Sequence, residues 1–234
     1  MEQNFKMNLT GVGLYTFSEV AKLTNISGQD LRRWLRGYSQ RKIKSDERNV
    51  IAPLWESELD GYGIDGVTFH ELLEVRFVHA FRKHGVSLQT IRSASLNARE
   101  LFNHPFPFTC KRFQTDGRTI FAEALKESGE SELLDIVKKQ YAFEQVIKPS
   151  LYSGIEFGDN DLASKWYPLT RSKSVVLDPK FSFGKPIVTD GHIRTSILYD
   201  AFKVEGNQRI VARLYEVPIS SVEAAIKFEE RLAA

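Results

Sequence analysis

At 234 residues the chain has room for one or two domains of ~100–200 residues each, and 42% hydrophobic with 26% charged residues is the composition of a globular protein, not of a disordered or membrane-embedded one. A single cysteine, Cys110, excludes an internal disulfide framework; no apolar run is long enough to span a bilayer and "MEQNFKMNLT" lacks the apolar core of a secretion signal, so a cytoplasmic protein is expected. The net charge of +2 says little, but residues 28–48 carry net +4 and residues 49–170 net −4, so basic charge gathers in one short stretch, as a phosphate-facing surface requires.

The first element is announced by "TFSEVAKLT". Thr16 with Glu19 three residues later is a capping-box signature, and Phe17, Val20, Ala21 and Leu23 follow with helical spacing. After a short turn, Ser27 caps a second helix with Asp30 facing back to it. In "NISGQDLRRWLRGY", Leu31, Trp34, Leu35 and Tyr38 share one face, while Gln29, Arg32, Arg33 and Arg36 share the other. An exposed charged face is ordinary on an amphipathic helix. Two capped helices in tandem, the second bearing the basic cluster, instead form a helix-turn-helix whose second helix enters the major groove.

Residues 39–67 read as a wing, a loop with short strands beside that helix. They contain a β-prone patch at Asn49–Trp55 and the turn dipeptides Asp60-Gly61 and Asp65-Gly66. Arg32 and Arg33 are the candidate base readers, since arginine matches the major-groove edge of guanine. Arg36, Arg41, Lys42 and Lys44 are candidates for phosphate contacts, and Gln29 shares their face.

A second capping box, Thr68 with Glu71, opens a helix whose stripe is Phe69, Leu72, Leu73, Phe77, Ala80 and Phe81, stopped by Gly85. "VSLQTIRSASLNARELF" follows as another helix, with Ile91, Ala94, Ala98 and Leu101 inward. The order of parts in "YTFSEVAKLTNISGQDLRRW" and "VTFHELLEVRFVHAFRKHGVSLQTIRSA" resembles the DNA-binding domain of MerR-type regulators over residues 14–100. Gly85-Val86-Ser87-Leu88 reproduces that family's step from one helix into the next, and the wing here is longer than the family's. The resemblance implies a dimer reading two half-sites of operator duplex DNA.

In the middle segment, two prolines in "NHPFPF" disfavour helix. Asp116-Gly117 between β-prone runs predicts a hairpin containing Cys110. Residues 131–147 read as a helix. "IEFGDNDLASKWYPL" reads as short strands around an acidic turn, in which Asp159 and Asp161 are turn residues before they are metal ligands.

Toward the C-terminus, a strand at Ser174–Leu177, a loop with Asp178, Pro179, Gly184 and Pro186, and a strand at Ile187–Thr189 precede helices at about 194–205, 208–215 and 220–231, the last capped by Ser220 with Glu223. The pattern Asp178-Pro179, Phe183-Gly184-Lys185-Pro186, Ile193, the Gly206 break and "IVARLYEVPISSVEAAIKF" resembles VapB-type antitoxin domains over ~60 residues. Asp190-Gly191 stands where those domains usually have Gly-Thr, and Arg194 where they have proline. The resemblance implies an antitoxin that autorepresses its operator and neutralises a PIN-like ribonuclease toxin. Such a toxin holds clustered carboxylates, which an inserted guanidinium can pair, so Arg209, Arg213 and Arg231 are candidate toxin-binding residues. The last two helices also read as a helix-turn-helix, but the exposed charge of helix 220–231 is net −1 and favours protein over DNA.

The five histidines show no metal-site spacing, and no glycine-rich phosphate loop is present, so no catalytic residue, metal or cofactor is expected. The expected fold is α+β and mainly helical, in three parts: a winged helix-turn-helix over 1–103, a hairpin and helix spacer or dimerisation segment over 104–170, and a three-helix, helix-turn-helix-like domain with short strands over 171–234. The expected function is a type II antitoxin, non-enzymatic, homodimeric and not membrane-bound. The alternative is a MerR-like regulator responding to a small molecule without a toxin partner.

Overall fold

The computed structural model describes residues 11–41, 48–127 and 148–233. The fold is mainly helical with three short antiparallel strand pairs. Helix α1 (Phe17–Thr24) and helix α2 (Gly28–Arg36) are both set by side-chain caps: Thr16 and Glu19 form the reciprocal box, and Ser27 Oγ accepts from the Asp30 N–H. Asn25, in the left-handed region at φ 56°, turns the chain between them. Strands β1 (Tyr38–Arg41) and β2 (Arg48–Ile51) pair to make the predicted wing, with Tyr38 opposite Ile51 and Arg41 opposite Arg48. The strand is shorter than the β-prone patch because Pro53 cannot donate to a ladder. Gly37 makes the passage from α2 into the wing: its φ is 71°, and a Cβ there would lie 2.4 Å from the Ile51 carbonyl oxygen.

Helices α3 (Phe69–Lys83) and α4 (Leu88–Phe102) follow, α3 opened by the Thr68–Glu71 box and α4 by Ser87. Ile91, Ala94 and Ala98 face inward as expected, whereas Leu101 is 54% exposed because it falls on the outer side of α4 near its end. The Asp116-Gly117 hairpin is not formed. Residues 113–127 instead make helix α5 (Phe113–Glu127), and Cys110 ends a 3₁₀ turn at Pro107–Thr109. The reason is periodicity: Phe113, Gly117, Ile120, Phe121, Ala124 and Leu125 are buried at helical spacing, and this stripe outweighs a single turn-prone dipeptide. The helix expected at 131–147 lies outside the described residues. After α6 (Lys148–Tyr152), β3 (Ile155–Phe157) and β4 (Ala163–Trp166) form the short hairpin around the acidic turn.

The C-terminal part pairs β5 (Val175–Val176) with β6 (Ile187–Val188), then packs α7 (Thr195–Glu205), α8 (Gln208–Leu214) and α9 (Ile219–Ala233). Ser220 is not the cap of the last helix: α9 starts at Ile219, directly after Pro218, whose fixed φ suits a helix entrance. Ser221 Oγ donates to Asp190 at 2.7 Å instead.

One apolar core runs from Tyr15 on the approach to α1 through α2, α3, α4 and α5 to Trp166 and Leu177. A second gathers Val188, Leu198, Val211, Val222, Ala225 and Ile226 among the last three helices. A polar seam joins the C-terminal part to α1. Leu14 N–H donates to the Phe183 carbonyl at 2.9 Å, Tyr15 Oη to the Gly184 carbonyl at 2.6 Å, and Lys185 Nζ to the Glu19 carboxylate at 2.5 Å. Gly184, at φ 77°, leaves room for this: a Cβ would lie 2.4 Å from Tyr15 Oη.

Candidate nucleic-acid interface

Helix α2 buries Leu31, Trp34 and Leu35 and exposes Gln29, Arg32 and Arg33. Trp34 is 6% exposed, and its carbonyl accepts from the Leu54 N–H at 2.8 Å, tying the helix to the end of the wing. Trp34 is therefore a core residue and fixes the rotation of α2, so that the arginine side of the helix lies at the protein surface.

Those groups have different surroundings. The Arg32 and Arg36 guanidiniums lie 4.6 and 5.1 Å from the centre of the Phe17 ring, a cation–π arrangement that lays both side chains along the same surface. Arg32 stands 3.8 Å and Arg36 3.5 Å from the Asp65 carboxylate. Arg36 also donates to the Gly66 carbonyl at 3.0 Å and is less exposed than Arg32, its side chain at 31% against 61%. Arg33 lies 5.4 Å from the Tyr38 ring centre and makes no ion pair with another described residue. Arg41 occupies the end of β1, and Lys42 and Lys44 lie outside the described residues. Sequence reasoning brought the α2 residues together on one face. It missed Asp65, which is distant in sequence and carried in a glycine-rich loop.

The candidate toxin-binding arginines lie on the last two helices. Arg209 and Arg213 are one turn apart on α8, both exposed, with the partly exposed Ile210 and Leu214 between and beside them. The α8 entrance is fixed by Asn207, whose side chain accepts from the N–H groups of Arg209 and Ile210. Arg231 is on α9, its guanidinium 5.3 Å from the Phe228 ring centre. Seven of the eleven large hydrophobic side chains exposed among the described residues fall between Phe181 and Ile219, including Val204 at 83% and Leu214 at 62%.

Among the described residues no group of three or more His, Cys, Asp or Glu side chains could hold a metal ion. Burial, reinforced by the nearby Glu74 charge, pushes the Cys110 thiol up to about 12, so it is not a thiolate near neutrality. His70 and His104 are both shifted down, chiefly by burial. His70 Nε2 lies 3.1 Å from the Ala163 carbonyl, and His104 Nδ1 accepts from the Phe106 N–H. The His70 ring thereby ties α3 to β4, and the His104 ring fixes the turn that follows it. The most perturbed carboxyl is Glu74 on α3. Complete burial raises it to about 8, against the Thr109 N–H at 3.0 Å and the charge of Arg99, which lower it. Glu74 is buried on α3 against the 3₁₀ turn, with the half-buried Arg99 of α4 nearby.

A cavity of about 380 Å³ lies between α1 and the C-terminal helices, lined by Lys22, Leu23, Lys185, Arg194, Tyr199 and Leu232 among others. No helix of the described residues is long and apolar enough to cross a membrane.

A family model described as "Putative DNA-binding HTH domain" matches residues 13–95, which span α1, α2, the wing, α3 and about half of α4. The chain is 25% identical over 226 residues to "Putative antitoxin VapB45" of Mycobacterium tuberculosis (strain H37Rv), covering 92% of this chain and 93% of that protein. The crystal structure of Rv2018 from Mycobacterium tuberculosis superimposes with a TM-score of 0.68 at 23% identity, covering 93% of this chain and 98% of that one. The fold of nearly the whole chain is therefore that of a solved protein, and its first third carries a helix-turn-helix.

Proposed function

We propose that this chain is the antitoxin of a type II toxin–antitoxin pair. It binds operator DNA as a homodimer through residues 14–50, autorepresses transcription, and neutralises a PIN-like ribonuclease through residues 171–234. The division into a DNA-reading part over 1–103, a spacer or dimerisation part over 104–170 and a partner-binding part over 171–234 belongs to the same reading. So do a cytoplasmic location and the absence of catalysis.

The observation that carries it is the pairing of an exposed arginine face on α2 with an exposed apolar and arginine-bearing surface on the C-terminal helices. Arginine is suited to both guanine edges and phosphate oxygens. Arg32 and Arg33 read bases, while Gln29, Arg36, Arg41, Lys42 and Lys44 position the helix and wing. On the other surface, Arg209 and Arg213 flank apolar side chains that a protein partner would cover. Arg231 is the third candidate and lies on the neighbouring helix.

Arg33→Ala is expected to weaken operator binding by ~1–3 kcal/mol and to relax preference at one base pair. Unchanged operator affinity in the Arg32/Arg33 double alanine variant would remove α2 from the interface. For the partner, Arg209→Glu with Arg213→Glu should abolish growth rescue on co-expression with a neighbouring nuclease gene. Rescue undiminished, with co-purification retained, would exclude that surface.

A second reading has its own support in the cavity between α1 and the C-terminal helices. Its volume falls in the range of small-molecule sites, ~300–1,000 Å³, and a ligand there would touch both α1 and α7. In that reading the protein is a small-molecule-responsive regulator without a toxin partner. The absence of a nuclease gene beside its own would favour it.

A further inference from the structure

We propose that Asp65 restrains the recognition arginines: its carboxylate holds Arg32 and Arg36 on the protein surface until DNA displaces it, which weakens binding to duplexes of arbitrary sequence. The proposal rests on α2 being the DNA-reading helix. The three exposed arginines of α2 are not equivalent. Arg32 and Arg36, one turn apart, both lie against the Phe17 ring and within 3.5–3.8 Å of Asp65. Arg33, on the other side, has no ion-pair partner among the described residues.

Asp65 is held there by its own backbone. The next residue, Gly66, accepts from Arg36 at 3.0 Å. The one after it, Val67, exchanges both hydrogen bonds with Tyr15 at 2.8 and 2.9 Å. The carboxylate thus projects from a loop fixed to the approach to α1, while its side chain remains 66% exposed. A carboxylate and a phosphate both present oxygens that a guanidinium can pair, and an exposed ion pair is weak enough to yield when base contacts add to phosphate attraction. On the operator, base contacts drive that displacement. On other sequences only phosphate attraction competes with Asp65, so Arg32 and Arg36 stay largely on the protein. Releasing them would add phosphate contacts, each of which makes binding more salt-dependent.

The test uses the full chain, a mixed-sequence duplex and a duplex from the protein's own promoter, titrated between about 50 and 200 mM salt. Asp65→Asn should tighten binding to the mixed-sequence duplex by about threefold to tenfold and steepen its log–log salt slope by about one to two, with a smaller gain on the promoter duplex. In an Arg32→Ala, Arg36→Ala background the same change should have no effect. If the gain persists there, it comes from the lost negative charge alone and the restraint is refuted. Unchanged or weaker binding by Asp65→Asn, with the wild type still binding its promoter, overturns the restraint and leaves the DNA-reading helix in place. If the wild type binds neither duplex, the DNA-reading assignment itself falls, and the restraint with it.

Discussion

The chain contains two helix pairs, α1–α2 near its start and α8–α9 at its end, and the outer faces of their second helices differ in charge: that of α2 is basic, that of α9 is mixed. Helix α2 buries Leu31, Trp34 and Leu35 and turns arginines outward. Helix α9 buries Val222, Ala225, Ile226 and Phe228 and turns outward Glu223, Glu230, Lys227 and Arg231, with Glu229 half-covered and bonded to Thr195. In both, apolar spacing and the turn between helices set the backbone. The partner is decided by side chains that contribute little to folding. A helix-turn-helix shape is therefore not evidence of DNA binding by itself; the basic outer face of α2 distinguishes it from the mixed-charge face of α9.

Three substitutions sharpen that contrast. The largest effect is expected at Trp34, whose replacement by alanine should lower stability by ~3–5 kcal/mol in denaturant unfolding. A folded variant with full stability but weak DNA affinity would mean that Trp34 belongs to the outer face of α2, and the contrast would break.

Glu74 tests the core beneath the first pair. With a folded-state value of about 8 against an ordinary carboxyl value near 4.5, the folded protein holds a proton that the unfolded chain has lost. Stability should therefore fall as pH rises from about 4.5 to 8, by on the order of 4 kcal/mol. Glu74→Gln should flatten that fall, measured as urea midpoints at pH 5 and pH 8. An equal slope in both proteins would show Glu74 to be ionised when folded.

Tyr15→Phe carries the smallest effect. Losing the hydrogen bond to Gly184 should cost about 1 kcal/mol and increase hydrogen exchange in the C-terminal helices more than in α3. Uniform exchange in the variant would mean that the seam does not hold the two parts together.

The first helix pair was legible in the sequence because its determinants are local: the Thr16–Glu19 box, the Ser27 cap and the Leu31/Trp34/Leu35 stripe all act within a few residues. The same is true of the Thr68–Glu71 box of α3 and the three C-terminal helices. Helix α5 is harder to read: the turn propensity of Asp116-Gly117 is a local signal for a hairpin, and the longer stripe from Phe113 to Leu125 overrides it. The candidate DNA-binding surface was half legible. The α2 arginines follow from helical spacing, whereas Asp65 reaches them only through the pairing of Val67 with Tyr15, which no local pattern encodes.

The bond between Tyr15 and Gly184 joins residues 169 positions apart in the chain. On a ribosome adding ~5–20 residues per second, the Gly184 carbonyl is made about 8–34 s after Tyr15. For that interval the segment of α1 exists without the neighbour that covers its polar side in the folded protein. The helix-turn-helix end is thus the older part of every newly made molecule, and it meets the cell before the C-terminal surface exists.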